Sequence, residues 1–201
     1  MKIVIIGGNG TIGSYVSEYF KTTDEVIVAG RNSGDIQVDI ADTASLEKLF
    51  QSVSNIDAVI CIAGEARWAD FSELSEEDYY IGIKSKLMGQ VNLTRLAAAS
   101  LNPGGVITLS TGILADDPVL KTASAAMVNG GIHSFARATA LELERGIRLN
   151  VVSLGMVAAA YDKYKGYFPG HNPVPMNKAV NAYVRSVKGR GNGEIIRVYE
   201  Q

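Results

Sequence analysis

Three glycines, Gly7, Gly10 and Gly13, recur at G-x-x-G-x-x-G spacing near the start of the chain. They stand between an apolar, β-branched run, Lys2–Ile6, and an amphipathic stretch. The chemistry this spacing suits is diphosphate binding. The first glycine permits the tight bend, the second lets backbone approach a pyrophosphate, and the third lets a helix pack closely on the strand. Free N–H groups at the helix start, aided by the helix dipole, then face the anion. Asn9 and Thr11 offer side-chain hydrogen bonds there, and Ile12 lies within the same turn. The turn therefore reads as a dinucleotide site.

Downstream residues refine that expectation. The next apolar run ends in Gly30-Arg31-Asn32-Ser33. An acidic residue at this point would hold the ribose 2′-hydroxyl of NAD, whereas arginine suits a 2′-phosphate. The guanidinium of Arg31 offers several donors to phosphate oxygens, and Asn32 and Ser33 can add more. NADP is expected over NAD. Asp39, followed by Ile40, ends a short third run; its carboxylate can accept from an adenine amino group or serve the local turn. Ala63-Gly64 closes the fourth run with small residues, where backbone can pass beside a cofactor.

These residues need a parallel sheet to hold them. Buried strands are expected over residues 2–6, 25–29, 36–38, 57–62, 106–110, 147–153 and 194–199. Helices are expected over residues 11–21, 43–52, 76–100, 123–145 and 176–188. Asp42 is placed to cap the second helix, and Ser75 with Asp78 resembles a capping box for the third. The alternation predicts an α/β, Rossmann-type doubly wound sheet of about seven strands with helices on both faces. One domain is expected over residues 1–201. Only residues 31–35 separate the second and third runs, and a parallel crossover normally needs a dozen residues or more. The third strand should be short and reached by a loop.

Composition excludes several function classes. A net charge of −2 gives no pull towards nucleic acid or anionic membrane. Cys61 is the single cysteine, so no intramolecular disulfide is available and a reducing compartment fits. No apolar run reaches bilayer length, and no metal-ligand cluster is read. A cytoplasmic protein is expected.

With these pieces in order, the chain resembles the short-chain dehydrogenase/reductase family. The resemblance rests on Ile6–Gly13, Asp39-Ile40, Cys61-Ile62-Ala63-Gly64 and residues 106–111. It continues through residues 136–143, Gly146–Asn150, and Ser153-Leu154-Gly155-Met156-Val157, which is similar to the family's Pro-Gly segment. It implies an oxidoreductase using a nicotinamide cofactor, with Gly155 near that cofactor, and a homodimer or homotetramer paired through the two long helices. Ser110 matches the family's strand-end serine, with Thr111 an equally placed alternative.

The catalytic helix departs from the pattern. Family members carry Tyr-x-x-x-Lys there, a spacing that puts a phenol and an ammonium on one helix face. The positive charge lowers the phenol's pKa so that it can exchange a proton with substrate oxygen. Those positions are Ala125 and Asn129 here, so the usual proton donor is missing. The family's asparagine on the preceding helix falls at Lys86. Lysine and asparagine thus look exchanged, keeping one ammonium and one amide near the nicotinamide ribose. Substitute acids include Asp116, Asp117, Lys121, Ser124 and His133, the last on the same helix side as Asn129. A lid rich in aromatics is expected from Tyr161, Tyr164, Tyr167, Phe168 and His171. The resemblance implies an NADP-dependent oxidoreductase of a small carbonyl or quinone-like compound; the altered helix fits a non-catalytic NADP-binding sensor as the alternative.

Overall fold

The protein is described here by a computed structural model covering residues 1–200. Seven strands, β1 (Lys2–Ile6), β2 (Glu25–Gly30), β3 (Ile36–Gln37), β4 (Ile56–Cys61), β5 (Leu101–Gly112), β6 (Arg148–Leu154) and β7 (Ile195–Val198), form one sheet in the order β3-β2-β1-β4-β5-β6-β7. Every pairing is parallel. The strands are continuous runs of Val, Ile and Leu because both faces are covered.

One face packs on α2 (Thr43–Ser52), α4 (Gly89–Ser100) and α5 (Ala123–Thr139) through Leu46, Leu93, Ile132 and Ala136. The other packs on α1 (Gly13–Lys21) and α7 (Met176–Lys188) through Val16, Phe20, Val180 and Tyr183. The strand order reverses between β1 and β4. A crevice opens beyond the carboxyl ends of the strands at such a reversal, where ligands of open α/β sheets bind.

Strand β3 is two residues long and reached by a loop, as the short link requires. Asp42 caps α2 by accepting from the Ala44 N–H, and Ser75 with Asp78 forms a capping box on α3 (Glu76–Gly82). Most boundaries fall within two residues of the sequence reading, and three departures are larger. The helical stretch over residues 76–100 is not uniform: a π-helical segment, Ile83–Met88, joins α3 to α4. Helix α5 stops at Thr139 rather than at residue 145, and Arg145 and Gly146 then take left-handed backbone angles that no helix continues through. Strand β5 extends at both ends of the expected segment. Residues 158–167, at the start of the aromatic lid, wind into short turns, including α6 (Tyr161–Tyr164).

Candidate functional site

Three hollows run in line along the carboxyl ends of the strands. A small one of about 180 Å³ is lined by Gly7, Arg31, Val38, Asp39, Ile40 and Gly64 among others. It shares Gly64 and Glu65 with a cleft of about 580 Å³ that also takes in Trp68, Lys86, Thr111, Ala125, Asn129 and Tyr164. A third, of about 330 Å³, reaches from Ile12 past Thr111 to Leu154, Gly155, Met156 and Phe168.

The glycine turn is built as its spacing demands. Gly7 has φ +81°, and a side chain there would lie 2.6 Å from the Ile62 carbonyl oxygen. A side chain at Gly13 would collide with the Gly7 carbonyl. At Gly10 the nearest obstacle is 3.2 Å away, the same carbonyl oxygen, so this residue faces the open side. The Gly10 N–H donates back to that oxygen at 3.0 Å and closes the turn. Helix α1 then begins at Gly13 with no side-chain cap, and the Ser14 N–H donates to the Gly10 carbonyl at 3.0 Å.

Around the small hollow, Asn9 Nδ2 donates to Ser33 Oγ at 3.2 Å and ties the glycine turn to the loop after β2. Arg31 Nη1 lies 3.3 Å from Glu65 Oε1, both side chains more than half exposed, so this pair is weak and can open. Thr11 and Asn32 are exposed at the rim. The Asp39 carboxylate accepts from the Ala41 N–H at 2.9 Å while the residue lines the hollow, so it does serve the turn.

The large cleft collects residues from distant parts of the chain. Lys86 reaches it from the π-helical segment, where one wide turn shifts the helix face; such turns recur at functional sites. Gly64, at φ +120°, makes room for it: a side chain there would lie 2.9 Å from Lys86 Cα and Cγ. Among the described residues no carboxylate pairs with Lys86, and burial pulls its ammonium below the ordinary lysine range, with only the nearby Cys61 opposing. Burial pushes the Cys61 thiol up to about 11, so it stays protonated and inert. Asn129 lines the same cleft from α5, 4% exposed, with Oδ1 lacking a hydrogen-bond partner among the described residues. Such a buried acceptor costs roughly 1–3 kcal/mol unless a ligand or water satisfies it.

Ser110 requires correction. Residues alternate sides along a strand, and Ser110 points to the α7 face, where its hydroxyl lies 2.9 Å from the Tyr183 hydroxyl. Tyr183 is fully buried, and its phenol is held well above the ordinary range by that burial. Ser110 lines none of the three hollows. Its neighbour Thr111 points the other way, lines both larger hollows, and has Oγ1 2.8 Å from His133 Nε2.

Of the other substitute acids, Asp116 is bound by Arg197 at 2.8 and 3.0 Å and by the Tyr199 hydroxyl at 2.6 Å. These bonds, Arg197 foremost, hold its carboxyl down at about 2 against the effect of burial. Asp117 meets His171 Nε2 at 3.0 Å and Lys121 pairs with Asp70 at 2.9 Å, away from the cleft lining. Ser124 is buried with its hydroxyl unpartnered behind Gly82. Tyr164 and Tyr167 line the large cleft; Tyr161 and His171 do not. Trp68, missed in the sequence reading, is the centre of the lid: its ring lies 5.6 Å from Tyr164, 5.5 Å from Tyr167 and 6.4 Å from Phe168. Its being the sole tryptophan was the only available signal.

Comparison with known proteins agrees with this arrangement. Residues 8–180 match the short-chain dehydrogenase family model described as Enoyl-(Acyl carrier protein) reductase. The crystal structure of protein lin1944 from Listeria innocua is 44% identical, with a TM-score of 0.97 over 99% of this chain and 100% of that one. A small-chain dehydrogenase in complex with NADPH shares the fold, at 24% identity and a TM-score of 0.88 over 99% of this chain and 96% of that one. Oxidoreductase UcpA of Salmonella typhimurium is 26% identical over 161 residues, 75% of this chain but 60% of that protein. A match that begins within the glycine turn and runs into α7 leaves one assignment: the chain belongs to the short-chain dehydrogenase/reductase family.

Proposed function

We propose that the protein is an NADP-dependent oxidoreductase of a small carbonyl or quinone-like compound, with a rearranged active site. The observation that carries this reading is that one cleft is lined by the Lys86 ammonium and by Asn129 Oδ1, neither of which has a partner among the described residues. Each lacks a partner of the kind that ribose hydroxyls or a substrate oxygen provide.

The residues fit a dinucleotide. Backbone N–H groups around Gly7, Gly10 and Gly13 suit the diphosphate, and Ile40 and Asp39 flank a hollow of adenine size. Arg31 and Ser33, at the rim, suit a 2′-phosphate, with Glu65 exchanged for the incoming anion. The cofactor, when bound, supplies or accepts the hydride. Lys86 and Asn129 hold the nicotinamide ribose between them as the family's lysine and asparagine do, with their helices exchanged. The aromatic lid of Trp68, Tyr164 and Tyr167 excludes water and suits a flat substrate face.

A second reading, a non-catalytic NADP sensor, is favoured by Ala125 at the phenol position. The two separate in one assay. NADPH should bind more tightly than NADH, with Arg31→Ala weakening NADPH about fivefold, or about 1 kcal/mol, and leaving NADH unchanged. NADPH absorbance should then fall with some member of a panel of carbonyls and quinones. Saturable NADPH binding with no oxidation at substrate-level protein concentration would favour the sensor.

We further propose a homodimer or homotetramer paired through α3 to α5. Ile81, Met88 and Met127 stand exposed there, and Gly130 faces open space. Light scattering should return two or four times the 21.4 kDa chain mass; a monomer at micromolar concentration refutes it.

A further inference from the structure

The missing phenol raises the question of which group exchanges a proton with the reacting oxygen. Ala125 has none to give. Tyr164 and Tyr167 line the cleft from the lid, where Lys163 Nζ lies 4.9 Å from the Tyr164 ring centroid. Thr111 lies at the end of β5, common to both larger hollows, where substrate and nicotinamide must meet. An isolated threonine hydroxyl is a poor acid and a poor base. Here it is not isolated, because His133 Nε2 lies 2.8 Å from its Oγ1, behind it and away from solvent.

We propose that Thr111 and His133 form a proton relay, in which the Thr111 hydroxyl exchanges a proton with the substrate oxygen while His133 replenishes or removes it. The inference rests on the oxidoreductase reading above. In carbonyl reduction the hydride forms a new C–H bond, and the C=O π electrons pass to oxygen. That oxygen takes the Thr111 proton, and Thr111 takes one from imidazolium His133. The imidazole recovers a proton from water through Thr111 once product leaves. In alcohol oxidation each transfer reverses, and neutral His133 accepts. A nucleophile or donor, the base behind it and a third orienting group is the recurrent pattern of such relays.

The third group is electrostatic. His133 feels Asp116 from the turn after β5, Arg197 from β7 and Arg137 from its own helix. Burial draws the imidazole pKa below its ordinary value, Asp116 opposes that, and the two arginines add to it. Asp116 stays ionised, clamped by Arg197 and Tyr199. The His133 pKa therefore lies below the ordinary imidazole value, and the neutral ring predominates at pH 7. Reduction, which needs the imidazolium, should slow as pH rises through the His133 pKa; oxidation should quicken over the same range.

Three variants and one spectrum test this. His133→Gln keeps an N–H donor for Thr111 but cannot titrate. It should lower turnover about 10²-fold, within the usual range for lost acid–base catalysis, and flatten the pH limb while NADPH affinity holds. Thr111→Val should match it, and Thr111→Ser should restore turnover. The chain has two histidines, so NMR of the wild type beside His171→Gln assigns the His133 ring directly. Its titration should match the kinetic limb and shift in Thr111→Val. A His133→Gln protein with wild-type rate and pH profile overturns the relay alone, as does a His133 that titrates nowhere near the limb. Wild-type protein that binds NADPH but oxidises it with no acceptor overturns the relay and the oxidoreductase reading together.

Discussion

The two ends of the binding cleft are built by different means. At the end proposed for the pyrophosphate the candidate groups are backbone N–H atoms of one short segment, Gly7 to Gly13, fixed by a strand, a turn and a helix that follow one another in the chain. At the end proposed for the nicotinamide the candidate groups are side chains gathered from five places: Trp68 after β4, Lys86 from a π-helical turn, Thr111 from β5, Asn129 from α5 with His133 behind Thr111, and Tyr164 from the lid. Backbone recognition tolerates almost any side chain but no change of backbone. Side-chain recognition has the opposite weakness: the fold survives substitution while the chemistry changes with each residue. On the proposed reading, that difference lets Ala125 stand at the phenol position in an otherwise regular fold.

The sharpest way to break the comparison is to put a side chain into the backbone end. Gly13→Val would drive Cβ into the Gly7 carbonyl. The strand-to-helix turn must then shift as a unit. NADPH affinity should fall at least a hundredfold, about 2.7 kcal/mol, with a lower melting temperature because α1 no longer seats on β1. Calorimetric titration with NADPH and a thermal melt check both. A variant that binds within threefold of wild type would show that the phosphates are held by side chains instead.

The same contrast decides what could be read without coordinates. The glycine turn, the short β3 and both caps were legible because each depends on neighbours in sequence: a link of five residues, 31–35, forbids a helical crossover whatever the rest of the chain does. Arg31 was expected at the mouth of the small hollow because it directly follows the second strand. The catalytic end resisted for physical reasons. Whether Ser110 or Thr111 faces the cleft turns on strand register, and a shift of one residue exchanges the two faces. Pairing of Thr111 with His133 spans a loop and half a helix, and nothing local requires it. The π-helical turn that aims Lys86 leaves no composition signature, so residues 76–100 looked like one regular helix. Trp68 lies in a segment without regular structure between β4 and α3, where periodicity has nothing to say.

A smaller and more informative change is Lys86→Met, which keeps the stem packed against Gly64 and removes only the charge. Should the ammonium bind a ribose or substrate oxygen, its loss removes one charge-assisted hydrogen bond, about 1.5 kcal/mol, or roughly tenfold in NADPH affinity. The fold should be untouched, with melting temperature equal to or above wild type, because the half-buried charge has no carboxylate partner among the described residues to lose. The pH dependence gives a second and independent check. Burial lowers the Lys86 pKa, so the charged form predominates at low pH and is lost as pH rises through that lowered value. Wild-type affinity for NADPH should therefore decline in the alkaline range earlier than an ordinary lysine would dictate, and Lys86→Met should be flat there. An unchanged affinity and an unchanged alkaline limb would mean that Lys86 merely lines the cleft. The exchange of ammonium and amide between the two helices would then have no functional content, although the backbone end of the site would stand as described.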